Sequence, residues 1–187
     1  MALSKIDVAN MLTGVTPVAN GGTALSSGFK NGITESDRWR VTSSFDLNGT
    51  TDPVQSNLER VDGTAESYFG TGMSVSSGIW TFPSTGYWLV DARYDAYSRI
   101  ASSGTKQVRV EILATTDNSS YTQIGVARSG LYEEDAYGTG YISCLIDVTN
   151  TTNVKVKFKL FTNANSNFQC SSSNTGLGFG FYRLGDT

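Results

Sequence analysis

The stretch GYWLVDARYDAYS, residues 86–98, alternates without a break: Trp88, Val90, Ala92, Tyr94 and Ala96 share one phase, while Asp91, Arg93 and Asp95 take the other. A repeat of two belongs to an extended strand, and the repeat of about 3.6 that marks a helix cannot produce it. The segment therefore predicts a strand with one face in a core and the other in water. The same grammar recurs in KQVRVEILATT, where Val108, Val110, Ile112 and Ala114 oppose Arg109 and Glu111, and again in YTQIGVARS, YISCLIDVT and NVKVKFKLF. Between these runs stand TDNSS, YEEDAYGTG and NTTN, which are loop compositions. Upstream, RWRVTSSF opens a strand, the turn-rich interval DLNGTTDPVQSN follows, and LERV, ESYFGTGM and GIWTFP lead to residue 86. Many short strands at this spacing predict an all-β sandwich or barrel.

Composition narrows the function more than the fold. The 187 residues carry a net charge of −3 and no histidine. Without histidine, Ser-His-Asp, Cys-His and histidine-based metal chemistry are excluded. Glu133, Glu134 and Asp135 sit together in a polar segment that reads as a solvated loop, so no catalytic residue is nominated and the chain is not expected to be an enzyme. DLNGTTD and YEEDA offer oxygen atoms but lack the spacing of a calcium loop, and no metal or cofactor is expected. Lys155, Lys157 and Lys159 alternate with apolar residues and read as a solvated strand face. No clustered cation surface calls for nucleic acid. No run approaches the roughly 20 apolar residues of a membrane-spanning helix, and the first residues lack the apolar block of a leader peptide, so synthesis in a cytoplasm without membrane insertion is expected. Asn48, Asn118 and Asn150 begin sequons, which without a leader read as turn residues. Cys144 shares the phase of Ile142 and Ile146 and reads as a small core residue.

The first 32 residues are different in kind. In LSKIDVANMLTG, Ser4 can cap a helix, Asp7 can reach back, and Gly14 can stop it, predicting a short helix over residues 5–12. A helix below about 12 residues seldom stands alone in water, so Leu3, Ile6, Val8, Met11 and Leu12 should dock on the same chain, a sister chain or another protein. PVANGGTALSSG, residues 17–28, has little to pack and reads as a pliable spacer. The expected organisation is an anchoring arm, 1–32, and a β domain, 33–187.

The closing stretch GLGFGFYRL puts Leu177, Phe179 and Phe181 on one phase and Gly176, Gly178 and Gly180 on the other. Bare glycine in a strand implies that something approaches closely. Tyr87, Leu89, Leu113, Tyr141, Leu145 and Leu184 also fall on phases that otherwise carry charge. Together with the glycines they predict a subunit interface. In the loops, Tyr121, Tyr132, Tyr137 and Asn118 are candidates for stacking and hydrogen bonding a sugar.

Two resemblances add to this reading. YFGTGMSVSSGIWTFPSTGYWL, residues 68–89, resembles the opening of the jelly roll shared by tumour necrosis factor (TNF) and the globular heads of complement and collagen-related proteins. That family carries G-x-(F/W)-x-x-P, a turn, then G-x-Y; Gly78, Trp80, Pro83 and Gly86 match, whereas the aromatics after Gly86 are Tyr87 and Trp88. The resemblance implies a TNF-like jelly roll forming a homotrimer whose axis is lined by aromatic and small residues. PVANGGTALSSG is similar to the P-V-x-N-G-G-T-G segment of tailed-phage fibre proteins, departing from it at Ala24. With DRWRVTSSF, SNLERVDG, DVTNTT and RLGDT, the chain resembles structural proteins of marine phages of cyanobacteria. This implies a virion-surface protein, a capsid decoration or a fibre or tail-tip component, held by its arm to another virion protein. The alternative is a trimer that binds a host receptor or surface glycan.

Overall fold

The computed structural model describes residues 33–99, 106–171, 173 and 175–187, and its described residues form eleven strands. These are β1 (Glu35–Val41), β2 (Ser43–Thr51), β3 (Leu58–Arg60), β4 (Ser74–Ser76), β5 (Ile79–Thr81), β6 (Gly86–Ser98), β7 (Lys106–Thr115), β8 (Thr122–Leu131), β9 (Tyr137–Val148), β10 (Lys155–Ser171) and β11 (Leu177–Gly185). The helix expected over residues 5–12, its apolar set Leu3, Ile6, Val8, Met11 and Leu12, and the spacer lie outside the described residues.

Every pairing is antiparallel, and the order is that of a jelly roll. A front layer runs β3–β1–β11–β6–β9. A back layer runs β8–β7–β10–β2, with β5 and β4 beside β10 where β2 ends. The long strand β10 belongs to both layers. Its first half, Lys155–Thr162, pairs with β7; Ser166–Phe168 then pairs with Ala96–Ser98 of β6. The register slips between Thr162 and Ser166. Here the fully buried Thr162 hydroxyl accepts from Ala164 N at 3.2 Å, and Ser166 Oγ donates to Ala164 O at 3.1 Å. The bulge thus satisfies its own backbone while it redirects the strand.

The period-two phases sort as expected. Trp88, Val90, Ala92, Tyr94 and Ala96 of β6 face Val108, Val110 and Ile112 of β7 and Val156, Phe158 and Leu160 of β10 in one core. At its centre Phe158 stacks on Phe179 at 4.0 Å, and Trp80 lies 5.0 Å from both Phe181 and Trp39. Such pairs add about 0.5–1.5 kcal/mol each beyond the area they bury.

Two matched glycines have backbone reasons. Ser77 and Gly78, at φ 49° and 74°, make the two-residue turn joining β4 to β5, a turn that demands positive φ at both positions. Gly86, at φ 132°, starts β6 where a methyl group would run into the carbonyl of Gly185. A buried acid fixes the segment between β3 and β4: Asp37, 1% exposed, accepts from Met73 N at 2.6 Å, Trp39 Nε1 at 2.9 Å and Arg60 Nε at 3.0 Å.

Two expectations are corrected. The interval DLNGTTDPVQSN is not simply a turn, because its first half belongs to β2, with Phe45 and Leu47 packed against the core and Phe45 stacked on Phe168 at 5.2 Å. ESYFGTGM is not a regular strand: it makes one bridge, Ser36 with Phe69, before Gly70 and Gly72 turn to positive φ.

Candidate functional site

The register brings the misfit side chains onto one surface, the outer face of the front layer. Across β1, β11, β6 and β9, Ser36 lies beside Tyr182, Leu89 and Leu145. The next row is Arg38, Gly180, Asp91 and Ser143, and the one after it Arg40, Gly178, Arg93 and Tyr141. Tyr87, beside Asp147, and Leu184 extend the first row toward the end where β1 begins. Tyr141 is 61% exposed, Leu145 60%, Leu184 50% and Tyr87 41%. An apolar strip on a sheet otherwise able to face water makes this face the candidate site. Covering one such leucine is worth about 1.5–3 kcal/mol.

The glycines behave differently from their expected role. Gly178 and Gly180 lie on this face but are already covered by their own chain: a methyl at Gly180 would sit 2.5 Å from the Asp91 carboxylate, and one at Gly178 would collide with Thr175. Gly176 precedes β11, its carbonyl accepting from Asp95 N at 2.7 Å, and a side chain there would overlap the Gln169 backbone. The close approach inferred from the glycine phase is therefore intramolecular. Leu113 also leaves the set. It belongs to β7 in the back layer, where it keeps the outward phase of Arg109 and Glu111 but is only 8% exposed.

Polar groups occupy the half of the face away from Leu145. The Asp91 carboxylate leans over Gly180, takes the Tyr182 hydroxyl and the Gly180 N–H, and lies near Arg38 and Arg93. Burial nevertheless outweighs these and raises its pKa. Burial, and then the charge of Asp91, raises that of Tyr182. Arg38 pairs with Glu66 at 3.5 Å and Arg40 with Glu59 at 3.2 Å. Tyr182, Asp91 and Arg93 were not singled out from the sequence, although Tyr182 stands in the same phase as the glycines, and that phase was the available signal.

The sugar-binding candidates do not converge. Tyr121 and Asn118 lie in the β7–β8 loop, where Lys157 Nζ sits 4.8 Å above the Tyr121 ring and Asn118 N donates to Asn153 O at 3.0 Å. That loop is shaped by Asp117, whose carboxylate accepts from Ser119 N and Ser120 N; the Thr115 hydroxyl and these amides hold its pKa well below the carboxylate range. Tyr132 and Tyr137, 69% and 65% exposed, flank the β8–β9 loop at the opposite end of the strands. Cys144 and Cys170 are free thiols, and burial pushes Cys170 up to about 11, away from nucleophilic use.

No protein-family model matches the chain, and no curated protein does. Among solved structures, the chain is similar to Eiger TNF from S. frugiperda, at 10% identity and a TM-score of 0.61 over 83% of this chain and 95% of that one. Murine APRIL matches at 14% identity and a TM-score of 0.57, covering 80% of this chain and 98% of its own. The globular domain of zebrafish complement 1qA matches at 8% identity and a TM-score of 0.50, covering 82% and 99%. The fold is thus the jelly roll of TNF and the complement heads.

Proposed function

We propose that the chain is a non-enzymatic structural protein of a virion, a homotrimeric surface head attached through residues 1–32 to another virion protein of the capsid, tail or fibre stem. One observation carries the trimeric part: the apolar strip Tyr182, Leu89, Leu145, Tyr87 and Leu184 runs across one outer face of a jelly-roll sandwich. A cyclic trimer joins unlike surfaces, so the strip needs a different apolar partner on the next copy. The seam between β8 and β9, where Ile124 is 42% exposed beside Cys144, supplies one. The virion role rests on the resemblance of the arm and spacer to phage fibre segments.

Two measurements test the reading. Sedimentation equilibrium of the full chain at micromolar concentration should return three times the chain mass, and a monomer would end the trimeric reading. Purified particles should contain the protein, and a chain carrying Ile6→Asp and Met11→Asp should be absent from them; normal incorporation would remove the arm as the anchor.

A further inference from the structure

We propose that Leu184 of one copy seats in the cleft between β8 and β9 of the next, beside Ile124, and that this contact, made three times, fixes the level at which the copies meet. This deepens the trimeric reading above and rests on it.

Both side chains owe their position to a bulge. On β8, Gln123 lies opposite Leu113 and Gly125 opposite Ile112, so Ile124 is the extra residue of an edge strand. It is 42% exposed and stands outside the core cluster. On β11, Arg183 lies opposite Trp88 and Gly185 opposite Tyr87, which makes Leu184 the extra residue there, 50% exposed. A bulge re-aims a side chain that regular pairing would have turned elsewhere. Beside Ile124 the two layers part into a cleft of about 420 Å³ lined by Ala114, Cys144, Ile146 and Val154. One residue further along β8 the seam is filled, because Cys144 and Ile142 occupy the space that a side chain at Gly125 would need.

The strip looks out from a face of the sandwich and the seam from the adjoining edge, both at right angles to the strands. A rotation that brings one onto the other has its axis along the strands, and a cyclic rotation keeps every residue at its own level on that axis. The side chain that fills the cleft therefore comes from the cleft's own level. The cleft lies between Thr115 of β7 and Asp147 of β9; Asp147 pairs with Tyr87, and Tyr87 with Gly185. Leu184 and Tyr87 are the exposed apolar side chains at that level. Tyr87 stands directly beside Asp147, next to the seam of its own chain, whereas Leu184 lies one strand further off, where an incoming edge can reach it.

The test uses the full-length chain with Cys144→Ser, Ile124→Cys and Leu184→Cys combined, oxidised with diamide and run on a denaturing gel without reductant, beside sedimentation of the unoxidised sample. A covalent trimer that reductant dissolves should form, and none should form when either new cysteine is omitted. A chain that sediments as a trimer yet cross-links no better than those controls would overturn the contact and leave the trimeric reading intact. A monomeric wild type would sink the trimeric reading itself. Should the combined variant fail to fold, Leu184→Asp in the otherwise native chain decides: assembly should weaken by about 100-fold while circular dichroism shows the domain folded, and wild-type assembly would overturn the contact.

Discussion

The two outer faces of this sandwich are built from the same kind of alternating strand, yet one is chemically finished and the other is not. On the back layer, Glu111, 3% exposed, is held by Arg109 at 2.6 Å and Lys159 at 3.3 Å, Arg109 covers the Phe161 ring, and Lys157 meets Asp52 at 2.7 Å. On the front layer, Leu145, Leu184, Tyr87 and Tyr141 stand exposed. A face whose charges pair over its apolar surface can meet water as it stands. A face that exposes an apolar strip is complementary to something further.

This contrast can be broken from either side. The largest expected effect is on the front: Leu145→Glu places a charge in the strip and should weaken assembly by about a thousandfold, roughly 4 kcal/mol, with the melting temperature of the isolated domain nearly unchanged. Sedimentation and calorimetry on the same sample read both quantities. On the back the pattern should invert. Glu111→Ala strands two cations and should cost the fold about 2–3 kcal/mol, seen by urea unfolding, without altering stoichiometry.

A smaller effect concerns pH. Because the Asp91 pKa is raised in the folded chain, its contribution to stability is full below the ordinary carboxyl value of 3.8 and is lost as pH rises through the folded value. Asp91→Asn should therefore stabilise the domain at pH 7, by less than about 1 kcal/mol, and lose that advantage at pH 3.5. Equal melting temperatures at pH 7 would contradict the sign. Smallest of all, Lys157→Ala removes a half-buried back-face pair with Asp52 and the contact over the Tyr121 ring, and should cost about 0.2–1 kcal/mol, declining with added salt.

How much of this could be read beforehand depends on how local each cause is. The core faces of β6 and β10 were legible because alternation alone specifies them, and Trp88 through Ala96 obey it without exception. Tyr87, Leu89, Tyr141, Leu145 and Leu184 were legible as misfits for the same reason, but their adjacency comes from register between strands distant in sequence. β2 was hidden by polar residues and Gly49, which a strand at the margin of a layer tolerates. Leu113 does share the outward phase of Arg109 and Glu111, but alternation could not say that β7 lies in the back layer, away from the other misfits. The glycine phase did announce a close approach; only three-dimensional packing could say that Asp91 and Thr175 make it.

The pairing of Glu35 with Arg183 has a consequence for presentation. It brings the start of β1 and the close of β11 to one pole of the sandwich, the pole that also carries the β7–β8 loop with Asn118 and Tyr121. Tyr132 and Tyr137 stand at the rim of the opposite pole, so a label at Thr34 or Asp186 lies near Asn118 and Tyr121 and a strand's length away from these two tyrosines.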